Sequence, residues 1–498
     1  MEIPNKIKEI LSDLQKSGFQ AFVVGGCVRD FLLKREPQDW DITTDATPQE
    51  IQKIFPDSFY ENDFGTVSVK VRSQSPVLES SEKNIECVEI TPFRLESSYS
   101  DNRHPDSVKW GKNIEEDLSR RDFSINGIAI QIKESSKEKK GEIEIIDPFN
   151  GRKDIEDKVI RAIGDPKERF KEDALRLMRA VRFSTVLQFK IEQKTKKAII
   201  QNSSLLNNIS QERIRDELVK IINSDYAHKG IEELRELGLL EYIIPELLQG
   251  YGVSQNKHHK YEVYEHHLKS LEFAAKKRFN FHVKMATLLH DIAKPKTKQG
   301  KGKDATFYNH EIVGAKMARN ILERLKFSKK DIQKITLLVR YHLFYYNVGE
   351  VTESSIRRLV KNVGMENVDD LMNVRMADRI GSGCPKAEPY KLRHLKYLID
   401  KVSQDPISAK MIKINGNDLI GLLNIPPSKK IGNILEILLA DVLNNPKLND
   451  KKILQDMAIS LAGLSEEELE KRAEKARQEI EKVEIKRDTM TKEKYWVS

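Results

Sequence analysis

The chain has 498 residues, of which 39% are apolar and 33% charged, and its formal net charge is +8. This length accommodates about three domains, each large enough to bury its own core. No apolar run approaches the roughly 20 residues that a membrane-spanning helix needs, so the composition excludes a membrane protein.

The opening segment MEIPNKIKEILSDLQKSG is charged and amphipathic, which indicates neither a signal peptide nor a membrane anchor. Three widely separated cysteines, Cys27, Cys87 and Cys384, form neither a disulfide framework nor a zinc motif. A reducing cytoplasm is therefore the expected location. The modest positive charge is compatible with a polyanionic partner.

Strand-like and helix-like patterns alternate over the first 150 residues, and helical patterns dominate afterwards. The runs TVSVKVR, IECVEITPF and GEIEIIDPF have the two-residue periodicity or the β-branched content of strands. Strand signals nearly vanish after DPFNGRKD, which predicts an α+β head followed by an all-α remainder. Composition breaks predict four segments: a head with a mixed β-sheet and helices (1–150), a helical neck (151–250), a helical segment rich in histidine (251–385) and a helical tail (386–498).

The segment AFVVGGCVRDFLLKREPQDWDITT places a two-glycine turn and a short helix before two aspartates. Backbone N–H groups at Gly25 and Gly26 would form an anion site, and the guanidinium of Arg29 suits phosphate oxygens. Asp39 and Asp41 lie two apart in a predicted strand and so share one face. Close carboxylates repel unless a cation neutralises them, and oxygen ligands suit Mg²⁺. A phosphate site beside a metal site predicts nucleotidyl transfer.

This segment resembles the signature of the DNA-polymerase-β-like nucleotidyltransferases, in the class II tRNA nucleotidyltransferase and poly(A) polymerase form. The resemblance continues in EEDLSRRDFSINGIAI, DPFNGRKDIEDKVIRAIGDPKERFKEDALRLMRAVRFS and ISQERIRDEL, which follow in the family's order over about the first 220 residues. It implies a polymerase-β-like head in which Gly25, Gly26 and Arg29 hold a nucleoside triphosphate. Asp39 and Asp41 would be catalytic ligands of two Mg²⁺ ions.

Three more head residues follow from the same resemblance. Glu89, in VEITPFR, corresponds to a third catalytic acid, although an alternating strand could equally show it to solvent. Arg121, in RRDFS, would contact the sugar or the phosphates of the nucleotide. Asp122 would brace that segment.

The block KEDALRLMRAVRF has the apolar spacing of a helix, on which Asp173, Arg176, Arg179 and Arg182 recur every three residues. One interpretation is an ion pair on a solvated face. A second follows from base chemistry, because cytosine and adenine present an amine donor beside a ring-nitrogen acceptor and uracil and guanine present the reverse. A carboxylate beside a guanidinium matches C and A. The resemblance assigns this selection to Asp173 and Arg176 and nucleotide binding to Arg179 and Arg182, which implies CTP and ATP as substrates.

The segment FRLESSYSDNRHPDSV, residues 93–108, separates subtypes within the family. Full CCA-adding members carry a loop of the pattern R-x(4)-Y-x-D-x-R-x-P, and members that add only CC tend to lack it. Its presence here, as Arg94, Tyr99, Asp101, Arg103 and Pro105, favours a complete CCA-adding enzyme.

Histidines and aspartates recur within YEVYEHHLKSL, MATLLHDIAKPKTK, YNHEIVGAKMA, LLVRYHLFYY and RMADRIGSG. The array resembles an HD-superfamily phosphohydrolase domain, with HDIAKP as its core, and predicts an HD domain over 251–385. The implied ligands of a divalent metal are His266, His290, Asp291, His310, His342 and Asp378. His267 is the alternative to His266. Imidazole and carboxylate ligands suit Mn, Ni, Co, Fe or Mg, so the metal stays open.

The leading hypothesis is a template-independent enzyme that adds CCA to the 3′ end of tRNA from CTP and ATP. A bacterial poly(A) polymerase or an A-adding enzyme is the alternative within the class. An HD phosphohydrolase whose head only senses nucleotides or binds RNA is the alternative of another class. The expected partners are tRNA, CTP and ATP, with no membrane, and the charged tail offers a further tRNA contact. The sequence leaves the oligomeric state open.

Overall fold

The strand patterns of the head form a seven-stranded mixed sheet in the computed structural model of the chain. The structure describes residues 2–37, 39–60, 65–72, 85–97, 107–133, 142–256, 259–403 and 408–497. Of the loop residues that separate subtypes, Arg94 lies within these ranges. Tyr99, Asp101, Arg103 and Pro105 lie outside the described residues.

Helices and strands alternate in the head. They are α1 (Asn5–Lys16), β1 (Ala21–Val24), α2 (Gly26–Leu32), β2 (Asp41–Thr44), α3 (Pro48–Ile54), β3 (Ser58–Tyr60), β4 (Val67–Arg72), β5 (Ile85–Pro92), β6 (Arg94–Ser97), β7 (Ser107–Trp110), α4 (Ile114–Ser119), β8 (Ala129–Lys133) and β9 (Glu142–Ile146).

The large sheet has the strand order β3-β4-β5-β2-β1-β8-β9. Strands β2 and β5 are parallel, and the other neighbouring pairs are antiparallel. Strand β1 is buried along its whole length between β2 and β8, which explains why AFVV is continuously apolar rather than alternating. Its last residue, Val24, pairs with Asp41, so the sheet fixes the end of β1 beside the start of β2.

Helices dominate the rest of the described chain, which confirms the predicted fold class. They are α5 (Gly151–Glu156), α6 (Pro166–Glu172), α7 (Leu175–Leu187), α8 (Gln193–Asn202), α9 (Gln211–Asn223), α10 (Ala227–Glu236), α11 (Leu240–Ile243), α12 (Pro245–Leu248), α13 (Val263–Lys276), α14 (Phe281–Leu289), α15 (Lys294–Thr297), α16 (His310–Arg324), α17 (Lys329–Tyr341), α18 (Glu353–Val363), α19 (Met365–Gly381), α20 (Tyr390–Ser403), α21 (Gly416–Leu423), α22 (Lys429–Asn444), α23 (Lys451–Ala462) and α24 (Glu466–Tyr495).

Two local features differ from the predicted pattern. A short parallel ladder joins β10 (Val159–Ile160) to β11 (Lys190–Ile191), so the remainder is not purely helical. The predicted helix KEDALRLMRAVRF is broken at Asp173, whose φ of −139° and ψ of 104° are extended and separate α6 from α7.

The chain divides into two compact units, Met1–Leu343 with Asp370–Pro385 and Phe344–Asp369 with Lys386–Ser498. In the second unit, apolar residues of α21 to α24 form a separate core. The predicted boundaries at 150, 250 and 385 stay a prediction. Among the described residues, no helix is both long enough and apolar enough to cross a bilayer.

A buried ion pair joins the head to helix α7. Asp122 is 7% exposed and lies 2.6 Å from Nη2 of Arg179. Its other carboxylate oxygen accepts hydrogen bonds from the backbone N–H of Phe123 and the side chain of Asn126. Burial would raise the pKa of Asp122, but the Arg179 guanidinium and these donors hold it well below the usual value. The carboxylate therefore stays charged while it holds two parts of the chain together.

We predict that Asp122→Asn lowers the free energy of unfolding by about 2–3 kcal/mol at neutral pH, because Arg179 loses its buried counter-charge but keeps some solvent contact. Since folding depresses the Asp122 pKa, this stabilisation is complete above the unfolded-state pKa of about 4 and is lost as the pH falls further. Urea unfolding of both proteins at pH 7 and at pH 3 measures the difference and its loss.

The matched control is Glu168→Gln, which removes an exposed ion pair with Lys171. Such surface pairs contribute about 0–1 kcal/mol. Equal stability losses in the two variants would contradict a special role for the Asp122–Arg179 pair.

Candidate active sites

At the turn between β1 and α2, the side chains of Arg121 and Asp41 both approach the backbone of Gly25. Gly25 has a φ of 81° and a ψ of −138°, which residues with a side chain rarely adopt. A Cβ atom at Gly25 would lie 2.9 Å from Nη1 of Arg121 and 3.5 Å from Oδ2 of Asp41. The missing side chain therefore lets both residues approach the turn, and α2 begins at the next residue, Gly26.

Arg29 is oriented inside the same turn and is 9% exposed. Its Nη1 donates to the side-chain oxygen of Asn126 at 2.9 Å. Its Nε and Nη2 both donate to Asp30 at 2.9 Å. These contacts fix the guanidinium before a ligand arrives, which reduces the entropic cost of binding an anion.

The two predicted metal ligands, Asp39 and Asp41, line one cleft. Asp41 begins β2, whereas Asp39 precedes the strand, so the shared strand face expected from their spacing is not what places them together. Burial raises the pKa of Asp41; Arg121 opposes this shift and the negative charge of Asp39 adds to it. A cation held by both carboxylates would relieve the burial and the repulsion, so this donor set fits a divalent metal.

Glu89 lies beside Asp41 in the sheet. The two residues are register partners in the parallel pair β2–β5. Glu89 is exposed, and it is not among the described residues that line the cleft.

A buried carboxylate holds Arg121 at the cleft. Asp117 is 0% exposed and lies 3.3 Å from Nη2 of Arg121 and 2.7 Å from Nη2 of Arg120. Burial would raise the pKa of Asp117, but the two guanidinium groups lower it below its usual value. Asp117 is a supporting residue that the sequence reasoning missed within EEDLSRRDF.

Asp173 lies in the break between α6 and α7, with both carboxylate oxygens engaged. Oδ1 accepts a hydrogen bond from the backbone N–H of Leu175 at 3.0 Å. Oδ2 accepts one from Nη2 of Arg213 at 2.8 Å. The Asp173 ion pair in this structure is therefore with an arginine of α9, forty positions away, and not with the next turn of its own helix.

Arg176 has different partners. Its Nη1 donates to Glu172 at 2.7 Å and to the carbonyl of Arg169 at 3.1 Å. Its Nη2 donates to the carbonyl of Arg120 at 2.9 Å. Asp173 and Arg176 both line the cleft, but the structure holds them through separate contacts.

Phe183 gathers three arginines around one buried ring. The guanidinium carbons of Arg182, Arg29 and Arg179 lie 4.0, 5.1 and 5.4 Å from its centroid. Arg182 also lies 2.6 Å from the buried carboxylate of Glu217 in α9. Burial lowers the pKa of Arg182 and this carboxylate opposes the shift. The sequence did not predict a role for Phe183, because it is one of several apolar residues at helical spacing. No motif near Glu217 predicted its pairing with Arg182.

The cleft is about 630 Å³ and strongly polar. Eight cationic side chains line it against four carboxylates, which leaves an excess of positive charge suited to a polyphosphate. The residues that line it are Gly25, Gly26, Arg29, Asp39, Asp41, Arg120, Arg121, Asp122, Asn126, Asp173, Leu175, Arg176, Arg179, Arg182, Phe183, Arg213 and Lys220. All the predicted nucleotide-binding residues are in this set.

A second cluster surrounds Asp291, immediately after helix α14. Its Oδ2 lies 3.1 Å from Nε2 of His266 and 3.2 Å from Nε2 of His290. Its Oδ1 lies 3.2 Å from Nε2 of His310 and 3.5 Å from Nε2 of His342. All five side chains are buried. One carboxylate therefore faces two sets of imidazoles.

Asp378 joins the first of these sets. Its Oδ1 lies 3.4 Å from Nε2 of His266 and 3.6 Å from Nε2 of His290. Its Oδ2 is 2.6 Å from Nη1 of Arg375. His267 is also buried, but within the described part of the chain both its ring nitrogens lack a hydrogen-bond partner, and it belongs to neither group of converging donor atoms. The structure therefore places His266, not its alternative, in the cluster.

Backbone carbonyls orient three of the imidazoles. Nδ1 of His290 lies 2.8 Å from the carbonyl of Thr287, and Nδ1 of His342 lies 2.7 Å from that of Val339. Nδ1 of His310 lies 2.6 Å from the carbonyl of Phe307. This contact favours the proton on Nδ1 and leaves Nε2 available as a metal ligand. The donor set fits a divalent metal ion, with Asp291 shared by two groups of ligands.

A pocket of about 760 Å³ opens onto this cluster. Asp291, His310, His342 and Asp378 contribute to its wall. Three cationic side chains also line it: Lys294, Arg375 and Arg379. The sequence reasoning did not single out these cations, although Lys294 lies within HDIAKP.

Three family models match successive parts of the chain. The poly(A) polymerase head domain matches residues 21–161, and the RNA- and SrmB-binding region of polymerase A matches residues 188–250. Domain 2 of tRNA nucleotidyltransferase matches residues 305–458.

Individual proteins agree with these models. A CCA-adding enzyme of Ligilactobacillus salivarius is 33% identical over 467 residues, which cover 92% of this chain and 98% of that protein. One of Lactobacillus helveticus is 45% identical over 237 residues, which cover 47% of this chain and 54% of that protein. The crystal structure of the Bacillus stearothermophilus CCA-adding enzyme in complex with CTP matches with a TM-score of 0.56 and 26% identity, over 92% of this chain and 98% of that one. Similarity over nearly the full length of both proteins shows that this chain belongs to the CCA-adding enzymes of the class II tRNA nucleotidyltransferase family.

Proposed function

We propose that the arginine-lined cleft adds C, C and A in turn to the 3′ end of tRNA, using CTP and ATP and releasing pyrophosphate. The observation that carries this proposal is one cleft that combines two metal-type carboxylates, a polyphosphate-binding excess of arginine and the Asp173 carboxylate. The enzyme would act in the cytoplasm, where its tRNA substrate is available.

Each part of the cleft has a distinct role in this proposal. Arg29 and Arg121 contact the phosphates, and the Gly25–Gly26 turn leaves room for them. Asp39 and Asp41 would hold Mg²⁺, which would supply Lewis acidity for activating the tRNA 3′-hydroxyl and for the release of pyrophosphate. Glu89 assists from the neighbouring strand.

Base choice belongs to the α6–α7 break. Asp173 accepts a hydrogen bond from the amine of cytosine or adenine, and Arg176 donates to the adjacent ring nitrogen. Three hydrogen bonds from Nη1 and Nη2 already orient Arg176, and because a guanidinium has five N–H donors, this contact does not require it to exchange one of them. Arg179 and Arg182 hold the nucleotide from the next turns of α7. Uracil and guanine present a carbonyl acceptor where Asp173 requires a donor, and a ring N–H donor where Arg176 requires an acceptor, and are therefore rejected.

We predict that Asp39→Ala or Asp41→Ala reduces nucleotide addition by more than about a hundredfold, because each removes a metal ligand. Binding of tRNA survives, since its phosphates contact basic residues. Single-turnover extension of a tRNA lacking its CCA end, together with filter binding of the same RNA, measures both quantities. Asp57→Ala, an exposed aspartate of the head, is the control. Near-normal addition by either active-site variant would remove the two-aspartate mechanism.

We predict that Asp173→Ala lowers selectivity for CTP over UTP and for ATP over GTP by about ten- to a hundredfold, the worth of one good base contact. The overall rate falls less than in Asp39→Ala, because no metal ligand is lost. Single-turnover incorporation of the four triphosphates measures both effects.

The control for Asp173→Ala is Asp165→Ala, which removes the capping carboxylate at the start of α6. It costs about 1 kcal/mol of stability and leaves base choice unchanged. Unchanged selectivity in a folded Asp173→Ala protein would disprove base reading by this carboxylate.

The second cluster supports a second function. We propose that segment 251–385 is an HD domain that hydrolyses a phosphate ester. Its histidines and aspartates would hold a divalent metal, which would supply an activated water. The supporting observation is the convergence of four imidazole Nε2 atoms and Asp378 on Asp291, beneath a pocket with three cationic side chains. Asp291 and His290 would be its central ligands.

We predict that His290→Ala and Asp291→Ala abolish both Mn²⁺ binding at the histidine cluster and metal-dependent phosphoesterase activity, while CCA addition is retained. The two ligand sets come from separate segments of the chain, so the chemistries are separable. Calorimetric titration with Mn²⁺ and hydrolysis of a 2′,3′-cyclic nucleotide give independent readouts. His282→Ala, at the other end of α14 and paired with Asp331, is the control. If no divalent metal supports hydrolysis, the proposed phosphoesterase function of the cluster is wrong.

A further inference from the structure

Asp173, the residue proposed to select the base, lies outside the helices on either side of it, and few local contacts restrain its side chain. Asp173 is in neither α6 nor α7, and its backbone is extended. Only one hydrogen bond in the described structure restrains its carboxylate locally, the N–H of Leu175 to Oδ1. The second restraint on the carboxylate, at Oδ2, comes from Arg213.

Arg213 belongs to a different helix. It lies in the first turn of α9, and its side chain is 26% exposed while that of Asp173 is 19% exposed. The bond uses Nη2, and Nη1 is buried and has no hydrogen-bond partner among the described residues. Arg213 also lines the cleft. The contact therefore lies at the cleft wall, where the orientation of the carboxylate matters for a bound nucleotide.

Helix α9 makes a second contact of the same kind one turn further on. Glu217, four residues after Arg213, is 3% exposed and pairs with Arg182 of α7. Positions i and i+4 share one face of a helix, so this face of α9 restrains a selecting residue and a nucleotide-binding residue together. The helix itself is anchored by the buried Ile214, Leu218, Ile221 and Ile222.

We propose that Arg213 is a positioning residue for base selection, which orients the Asp173 carboxylate so that an oxygen accepts the amine of cytosine or adenine. This proposal rests on the proposed reading of the base by Asp173. Without Arg213, the carboxylate keeps the Leu175 N–H but can rotate away from the geometry that a directional hydrogen bond requires. Arg213 thereby acts through Asp173 rather than on the nucleotide.

The test compares Arg213→Gln, Asp173→Ala and the double variant in single-turnover incorporation of CTP, UTP, ATP and GTP. Arg213→Gln is expected to lower CTP-over-UTP and ATP-over-GTP selectivity by about three- to tenfold, less than Asp173→Ala does. In the Asp173→Ala background, Arg213→Gln is expected to cause no further loss, because a residue that acts only through Asp173 has nothing left to orient.

Two further proteins separate positioning from folding. Arg213→Lys keeps the positive charge but lacks the planar fork, and it should recover part of the selectivity. Arg215→Gln removes an arginine from another face of α9, where it pairs with Asp216, and should leave selectivity unchanged. Thermal unfolding of all variants identifies any that fail to fold. If Arg213→Gln fails to fold, Arg213→Lys takes its place in the comparison.

The outcomes are distinguishable. Selectivity unchanged in Asp173→Ala would overturn the proposed function itself. Selectivity lowered in Asp173→Ala but not in Arg213→Gln or Arg213→Lys would overturn only the role of Arg213. Equal losses from Arg213→Gln with and without Asp173 would show that Arg213 contacts the nucleotide or the RNA directly, and would also overturn the positioning role.

Discussion

The buried ion pair between Asp122 and Arg179 is the contact on which the organisation of the cleft depends. Asp122 follows Arg121 directly and also accepts a hydrogen bond from Asn126, the residue that orients Arg29. Arg179 lies in α7, the helix that also carries Arg176 and Arg182. A buried pair costs free energy to desolvate, and losing one partner leaves the other charge uncompensated. The pair therefore fixes α7 relative to the segment of the head that carries Arg121 and Asn126, which are the two parts of the cleft proposed to select the base and to bind phosphate.

Seven arginines line the described cleft, and each of them pairs with a carboxylate of the protein. These carboxylates are Asp30 for Arg29, Asp117 for both Arg120 and Arg121, Glu172 for Arg176, Asp122 for Arg179, Glu217 for Arg182 and Asp173 for Arg213. Without these partners, so many like charges would repel each other and the cleft would lose its shape. The same pairing preorganises the donors, so a triphosphate meets side chains that are already oriented. Under the proposed function, selection would then depend on how well the edge of a base matches the side chains of Asp173 and Arg176.

Much of the fold and of the site membership follows from sequence, because apolar periodicity records burial and the head motifs are local. The continuous run AFVV and the alternating TVSVKVR predict strands, and both are strands. The break at Asp173 could not be predicted, because the apolar spacing of a helix continues on both sides of it. Helical propensity also does not show that Asp173, rather than a neighbouring acidic residue, adopts an extended backbone. Arg213 and Glu217 were missed for another reason: their partners are 40 and 35 residues distant, and sequence spacing does not show long-range ion pairs. The histidine cluster was predicted by resemblance, whereas its sharing of Asp291 is visible only in three dimensions.

The cleft and the histidine cluster use different residues of one chain, so nucleotide addition can be tested alone. The most direct measurement is the extension of a tRNA that ends immediately before CCA, incubated with CTP, with ATP or with both. A site that selects C and A without a template predicts two added residues with CTP alone, none with ATP alone and three with both. A run of adenosines with ATP alone, or no extension with both nucleotides, would contradict it.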